Sequence, residues 1–136
     1  MPLHLLKLAV GIESIDHLRD VRAARTTERG GNWVYTRNRP RRAGEILAGG
    51  SIYWVIRGQI RVRQPVKGFR GERDGNGRRY CLIEVDGKLV ATLPRPWRPF
   101  QGWRYLSIED APADLPEGGE LPSDRMLAEL RELGLI

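Results

Sequence analysis

The chain has one cysteine, Cys81, so no intramolecular disulfide can form and the fold must rest on its core. Histidine is nearly as scarce. His4 and His17 stand apart from each other and from the cysteine. A transition-metal centre wants several such ligands at fixed spacing, so no metal and no other cofactor is expected. Long hydrophobic runs are missing: nothing approaches the roughly 20 apolar residues that span a bilayer. The opening MPLHLLKLAVGI is apolar, yet no small-residue cleavage site follows it, and it reads as a strand rather than a signal peptide. These absences lead to the expectation of a cytoplasmic protein with no membrane partner. A phosphate-binding loop is missing too, because Gly49-Gly50-Ser51 lacks the Gly-Lys-Ser/Thr signature. Lysine is rare as well: 3 residues against 20 arginines.

Arginine is present in excess, and its charge is segregated. Residues 19–104 carry 20 Lys/Arg and 7 Asp/Glu, whereas residues 105–136 carry 2 and 8. A basic body therefore precedes an acidic tail. Guanidinium groups bind phosphate bidentately and stack on rings, and ring-bearing residues are interleaved with them. The three clusters are Trp33 to Arg42, Tyr53-Trp54 with Arg57, Arg61 and Arg63, and Arg95 to Tyr105. Aromatic faces stack on unpaired bases, so this combination suits RNA or another single strand better than a major-groove helix.

A length of 136 residues is one domain. Residues 3–10 read as a strand. Ser14 is a helix N-cap, Ile15, Leu18 and Val21 follow at helical spacing, and Gly30-Gly31 ends the helix. Strands are expected over 33–37, 51–57, 59–64 and 103–106, with a short helix over 41–48 closed by Gly49-Gly50. In 51–57, Ile52, Trp54 and Ile56 alternate with Tyr53, Val55 and Arg57. A three-residue loop at 57–59 would put Ile52, Trp54, Ile56, Ile60 and Val62 on one core face and leave Arg57, Arg61 and Arg63 on an open one. The glycine-rich, charged stretch 67–77 reads as a loop. Asp86-Gly87 reads as a two-residue hairpin turn joining strands 79–85 and 88–93. The proline-rich stretch 94–100 reads as a stiff extended segment. The whole is α+β: a small curled antiparallel or mixed sheet, or a small β-barrel, with two or three short helices. Residues 1–116 form the domain. Residues 117–136 form an acidic tail ending in an amphipathic helix over 123–133, with Met126, Leu127, Leu130 and Leu133 as its apolar stripe.

Two longer strings carry a resemblance. TRNRPRRAGEILAGGSIYWVIRGQIRVRQPVKGF and RPWRPFQGWRYL resemble an uncharacterised bacterial domain-of-unknown-function family over residues 3–115, with the tail outside it. That resemblance implies a small bacterial cytoplasmic protein and transfers no catalytic residue. The order of short strands, a Tyr-Trp strand and a hairpin also resembles the PUA/ASCH/EVE group, which implies a barrel that binds RNA or modified bases.

The expected function is RNA or single-stranded nucleic-acid binding. Arg37, Arg39, Arg41, Arg42, Arg61 and Arg63 would hold phosphates, while Trp33, Tyr53 and Trp97 would stack on bases. Trp54 reads as core. One alternative is a nucleic-acid or nucleotide-processing enzyme using His4, His17, Asp86 or Lys88. Another is an interaction protein whose arginines meet an acidic protein partner.

Overall fold

The structure, a computed structural model, describes residues 2–115 and Glu132. The acidic tail from residue 117 and its helix over 123–133 lie outside the described residues, Glu132 excepted. Among the described residues, seven strands and two helices follow in the order β1 (His4–Leu8), α1 (Ile15–Arg29), β2 (Trp33–Thr36), α2 (Ala43–Leu47), β3 (Ser51–Ile56), β4 (Gln59–Arg73), β5 (Arg79–Val85), β6 (Val90–Pro96) and β7 (Trp103–Leu106). The mixed sheet runs β2-β5-β4-β3-β1-β7, with β6 also paired to β4. Only β1 and β3 run parallel. Among the described residues no pairing joins β2 to β7, so the sheet is open rather than a closed barrel.

The local signals for α1 operate as chemistry requires. Ser14 is extended and its hydroxyl accepts the His17 amide at 3.0 Å, while Gly30 closes the helix at φ 70°, a left-handed value that glycine adopts without strain. Ile15 and Leu18 enter one core cluster with Leu5, Ile52, Trp54, Val62 and Ile83. The opposite face of the larger sheet carries a second cluster of Leu6, Tyr53, Val55, Ile60 and Leu106.

That second cluster corrects the expected hairpin. Ile56 faces Gln59, so the turn is the two-residue Arg57-Gly58, with φ 49° and 80°. A bulge between Trp54 and Val55 absorbs Arg61 and restores Trp54 opposite Val62. The apolar set splits, Ile60 going to one cluster and Val62 to the other. The split costs nothing because every residue of β3 is buried, whichever face it points to. Consequently Arg57, Arg61 and Arg63 share no open face.

Residues 67–77 are not a loop. β4 runs through Arg73, pairing β3 and β6 along its first half and β5 along its second. Its glycines are tolerated because ladder hydrogen bonds to β5 fix the backbone. Only the tip turns: the Asp74 carboxylate accepts from the amides of Asn76 and Arg78. Nor is Asp86-Gly87 a hairpin turn. β5 and β6 do not pair with each other; both pair with β4. The Asp86 carbonyl accepts from the Gln64 and Asn32 side chains, and its carboxylate caps the Lys88 amide. These bonds turn the chain from one half of β4 to the other. Residues 94–96 join β6, which the prolines permit because β6 meets only the short 113–115 stretch on its far side.

Gly50 tests the packing where α2 meets β1. A Cβ there would stand 2.1 Å from the Leu3 carbonyl oxygen and 2.6 Å from that of Ile46, both backbone atoms. Gly44, in α2, has nothing within 4 Å of the equivalent position. Gly50→Ala is expected to cost about 3 kcal/mol or more, and Gly44→Ala to gain roughly 0.5–1 kcal/mol. Denaturant titration of both variants checks this.

Candidate nucleic-acid interface

The outward face of the smaller sheet is built by alternation. In β2, Val34 and Thr36 are buried, so Trp33 and Tyr35 point the other way. Register places Trp33 beside Glu84 and Tyr35 beside Leu82 in β5, and sets Arg70 and Glu72 of β4 beside Leu82 and Tyr80. Tyr35 and Tyr80 lie with ring centroids 5.3 Å apart, tilted by 35°. The Trp33 indole folds back over Gly31, where a Cβ would stand 2.4 Å from Nε1. Trp33, Tyr35, Tyr80 and Leu82 line a recess of about 640 Å³ with Arg70, Glu72 and Asp74. A neighbouring recess of about 840 Å³ is lined by Arg37, Arg39, Arg73 and Arg79 with Asn38, Gly71, Glu72 and Tyr80. Five arginines and two carboxylates therefore line the pair. One carboxylate, Glu72, is ion-paired to Arg70, and the other, Asp74, is engaged in the turn.

Of the residues singled out from sequence, Trp33, Arg37 and Arg39 come together on this surface. Arg41 is exposed at the entry to α2. Arg42 is engaged: its guanidinium is bidentate to Glu45 and lies 5.6 Å from the Tyr105 ring centroid. Tyr53 is buried against His4, centroids 4.9 Å apart, and offers no ring to a base. Arg63 is bidentate to Asp114 at 2.7 Å and also donates to the Ser51 hydroxyl. Arg61 is half-buried at the bulge. Trp97 packs on the second cluster, with the Arg95 guanidinium 5.8 Å from its ring. Trp54 is core, as its alternation requires, and donates its indole N–H to Gln64. Tyr80, Arg70, Arg73 and Arg79 are the additions. Arg70 and Arg73 fall in the stretch read as a loop, which has no faces; Arg79 and Tyr80 fall in the strand expected over 79–85, whose pairing with the second half of β4 the same loop reading hides.

The residues of the catalytic alternative hold structural positions. The buried His4 accepts the Ser51 amide through Nδ1, and His17 accepts the Glu13 amide through its own. Asp86 caps Lys88. Cys81 is buried, and burial pushes its thiol up. Among the described residues no group of three His, Cys, Asp or Glu side chains could hold a metal ion, and no helix is long and apolar enough to cross a membrane.

Fold and surface together define a small α+β protein with an open mixed sheet and an arginine-flanked aromatic face. The chain belongs to the family described as protein of unknown function (DUF1489), whose model matches residues 5–136. The match includes the acidic tail, which the expected boundary near residue 115 had excluded. No curated protein and no solved structure matches the chain.

Two buried or paired groups, His4 and Asp114, contribute to the pH dependence of stability. Burial, with the Arg63 charge nearby, lowers the His4 pKa below its ordinary 6.5. A depressed folded value means the unfolded chain binds the proton first. Stability is then full above pH 6.5 and declines as pH falls from there through the folded pKa. The Arg63 hydrogen bond lowers Asp114 below 3.8, so its contribution holds above that pH and is lost further down, as pH falls through its own folded value. Thermal melting between pH 8 and about 2 is expected to show both declines, and His4→Gln should flatten the upper one.

Proposed function

We propose that the protein binds single-stranded RNA or DNA across the outward face of β2, β5 and the distal half of β4. The observation that carries this reading is the aromatic platform. Trp33, Tyr35 and Tyr80 stand together at an exposed sheet surface instead of in the core, with Arg37, Arg39, Arg70, Arg73 and Arg79 around them. Bases stack on such rings whatever their identity, and the guanidinium groups follow the backbone. Duplex is disfavoured, since paired bases keep their faces to themselves.

Filter binding with a short unstructured oligonucleotide at several salt concentrations tests the reading. Affinity is expected to fall as salt rises, by about 0.7 in logarithmic slope for each phosphate contact. Tyr80→Ala and Trp33→Ala are each expected to cost about 1–3 kcal/mol of binding and leave the melting temperature nearly unchanged. Arg63→Ala should behave in the opposite way, lowering the melting temperature and sparing affinity, because its guanidinium is committed to Asp114 and Ser51. Absence of binding at low salt would defeat the proposal.

A further inference from the structure

Lys7 is a cation placed where a sheet normally carries an apolar residue. It lies in β1 between two strands, directly across from Trp54 of β3 on one side and Trp103 of β7 on the other. It is half-buried, and burial alone lowers its pKa below the ordinary 10.5. Among the described residues it makes no ion pair. Two cavities, of about 340 and 380 Å³, meet at Lys7 and Tyr35, which line both. Neither is lined by a carboxylate among the described residues. The other charged side chains on their walls are Arg22 and Arg25 from α1 and Arg37 beyond β2. Arg22 is engaged with Asn32 and the Trp33 carbonyl. Desolvating an ammonium group with no acid beside it is unfavourable unless an anion from outside completes the site.

The anion's chemistry follows from the walls. The 380 Å³ cavity is lined by Lys7, Arg37, Tyr35, Asn38, Gln101 and the half-buried Trp103, whose indole N–H donates to the Asn38 carbonyl. Ring, cation and amide together suit a flat heterocycle carrying phosphate. Tyr35 also belongs to the outward platform, so a strand lying there would end beside this cleft.

We propose that the Lys7 cleft binds the phosphomonoester of a nucleotide, as the phosphorylated end of a strand held on the outward face. The strand part rests on the function proposed above; the phosphate site does not. The same phosphomonoester could come from a free mononucleotide, and the test separates the two sources.

Affinities are measured for one oligonucleotide bearing a 5′-phosphate, a 3′-phosphate or hydroxyl ends, and for AMP, with the intact protein and Lys7→Gln. One phosphorylated form is expected to bind about tenfold or more tightly than the hydroxyl-ended form, as befits a charge-assisted contact. Lys7→Gln should erase that preference and keep the hydroxyl-ended affinity. AMP should also shift the Lys7 Cε resonance of the unsubstituted protein, a readout that needs no variant to fold. AMP binding at Lys7 without end preference assigns the cleft to free nucleotide and overturns the strand-end assignment. AMP binding with no oligonucleotide binding at all removes the platform reading and leaves the phosphate site standing. Equal affinity for all ends, with a Lys7 resonance unmoved by AMP, overturns the proposal outright.

Discussion

One chain of hydrogen bonds ties the two halves of this molecule together. The Trp54 indole donates to Gln64, Gln64 donates to the Asp86 carbonyl, Asn32 donates to that same carbonyl, and the Arg22 guanidinium donates both to Asn32 and to the Trp33 carbonyl. Its links run from the central strand β3 through β4 and the β5–β6 connection to the start of β2 and across to α1. Gln64 is fully buried and Arg22 nearly so. Buried polar groups of this kind are tolerated only when satisfied, and satisfied networks specify geometry more sharply than apolar packing does. The Val85 amide adds a backbone bond to the Asn32 carbonyl at 3.1 Å, fixing β2 against β5. The direction in which Trp33 and Tyr35 point is thus set from the interior of the protein.

The same network explains which parts of the fold are legible in the sequence. Local signals carry α1, where a serine cap, helical apolar spacing and a closing glycine agree, and they carry β2, β3 and β7. The long-range choices are hidden. Asp86-Gly87 has the composition of a hairpin turn, but its carbonyl is claimed by Gln64 and Asn32, so the chain crosses along β4 and does not return beside β5. The Arg57-Gly58 turn is equally instructive. Alternation predicts one buried face, and that rule holds only while the other face is wet. Here a second cluster of Leu6, Tyr53, Val55, Ile60 and Leu106 covers it, and a bulge at Arg61 reconciles the register. Tyr53 is lost as a surface ring for that reason.

Arginine content also divides once partners are visible. Arg42 and Arg63 are bidentate to carboxylates, and Arg22 is structural. Exposed pairs such as Arg42 with Glu45 add little stability, since solvent screens them, yet they occupy the guanidinium fork that a phosphate would need. The arginines around the Tyr35–Tyr80 pair, Arg70 excepted, differ. Arg37 makes one long bond to the Arg79 carbonyl, and Arg70 pairs with Glu72; among the described residues Arg39 and Arg79 make no ion pair. A net basic composition becomes a local field only where arginines outnumber the acids beside them, and here Asp74 is engaged in a turn and Glu72 in an ion pair, while Glu84 stands at the Trp33 end of the face.

The larger sheet and the smaller sheet therefore do different work on one shared strand. Along its first half β4 is enclosed by β3 and β6 and contributes to both clusters. Along its second half it carries β5 outward, which leaves Arg70, Glu72, Tyr80 and Leu82 on a surface that, among the described residues, no other strand of the sheet covers. An uncovered sheet face of this kind is a hazard for self-association when it is contiguous and apolar. The arginines beside the rings keep it charged. Charge beside exposed aromatic faces, which breaks up an apolar patch, is also the chemistry on which the proposed binding of a single strand rests.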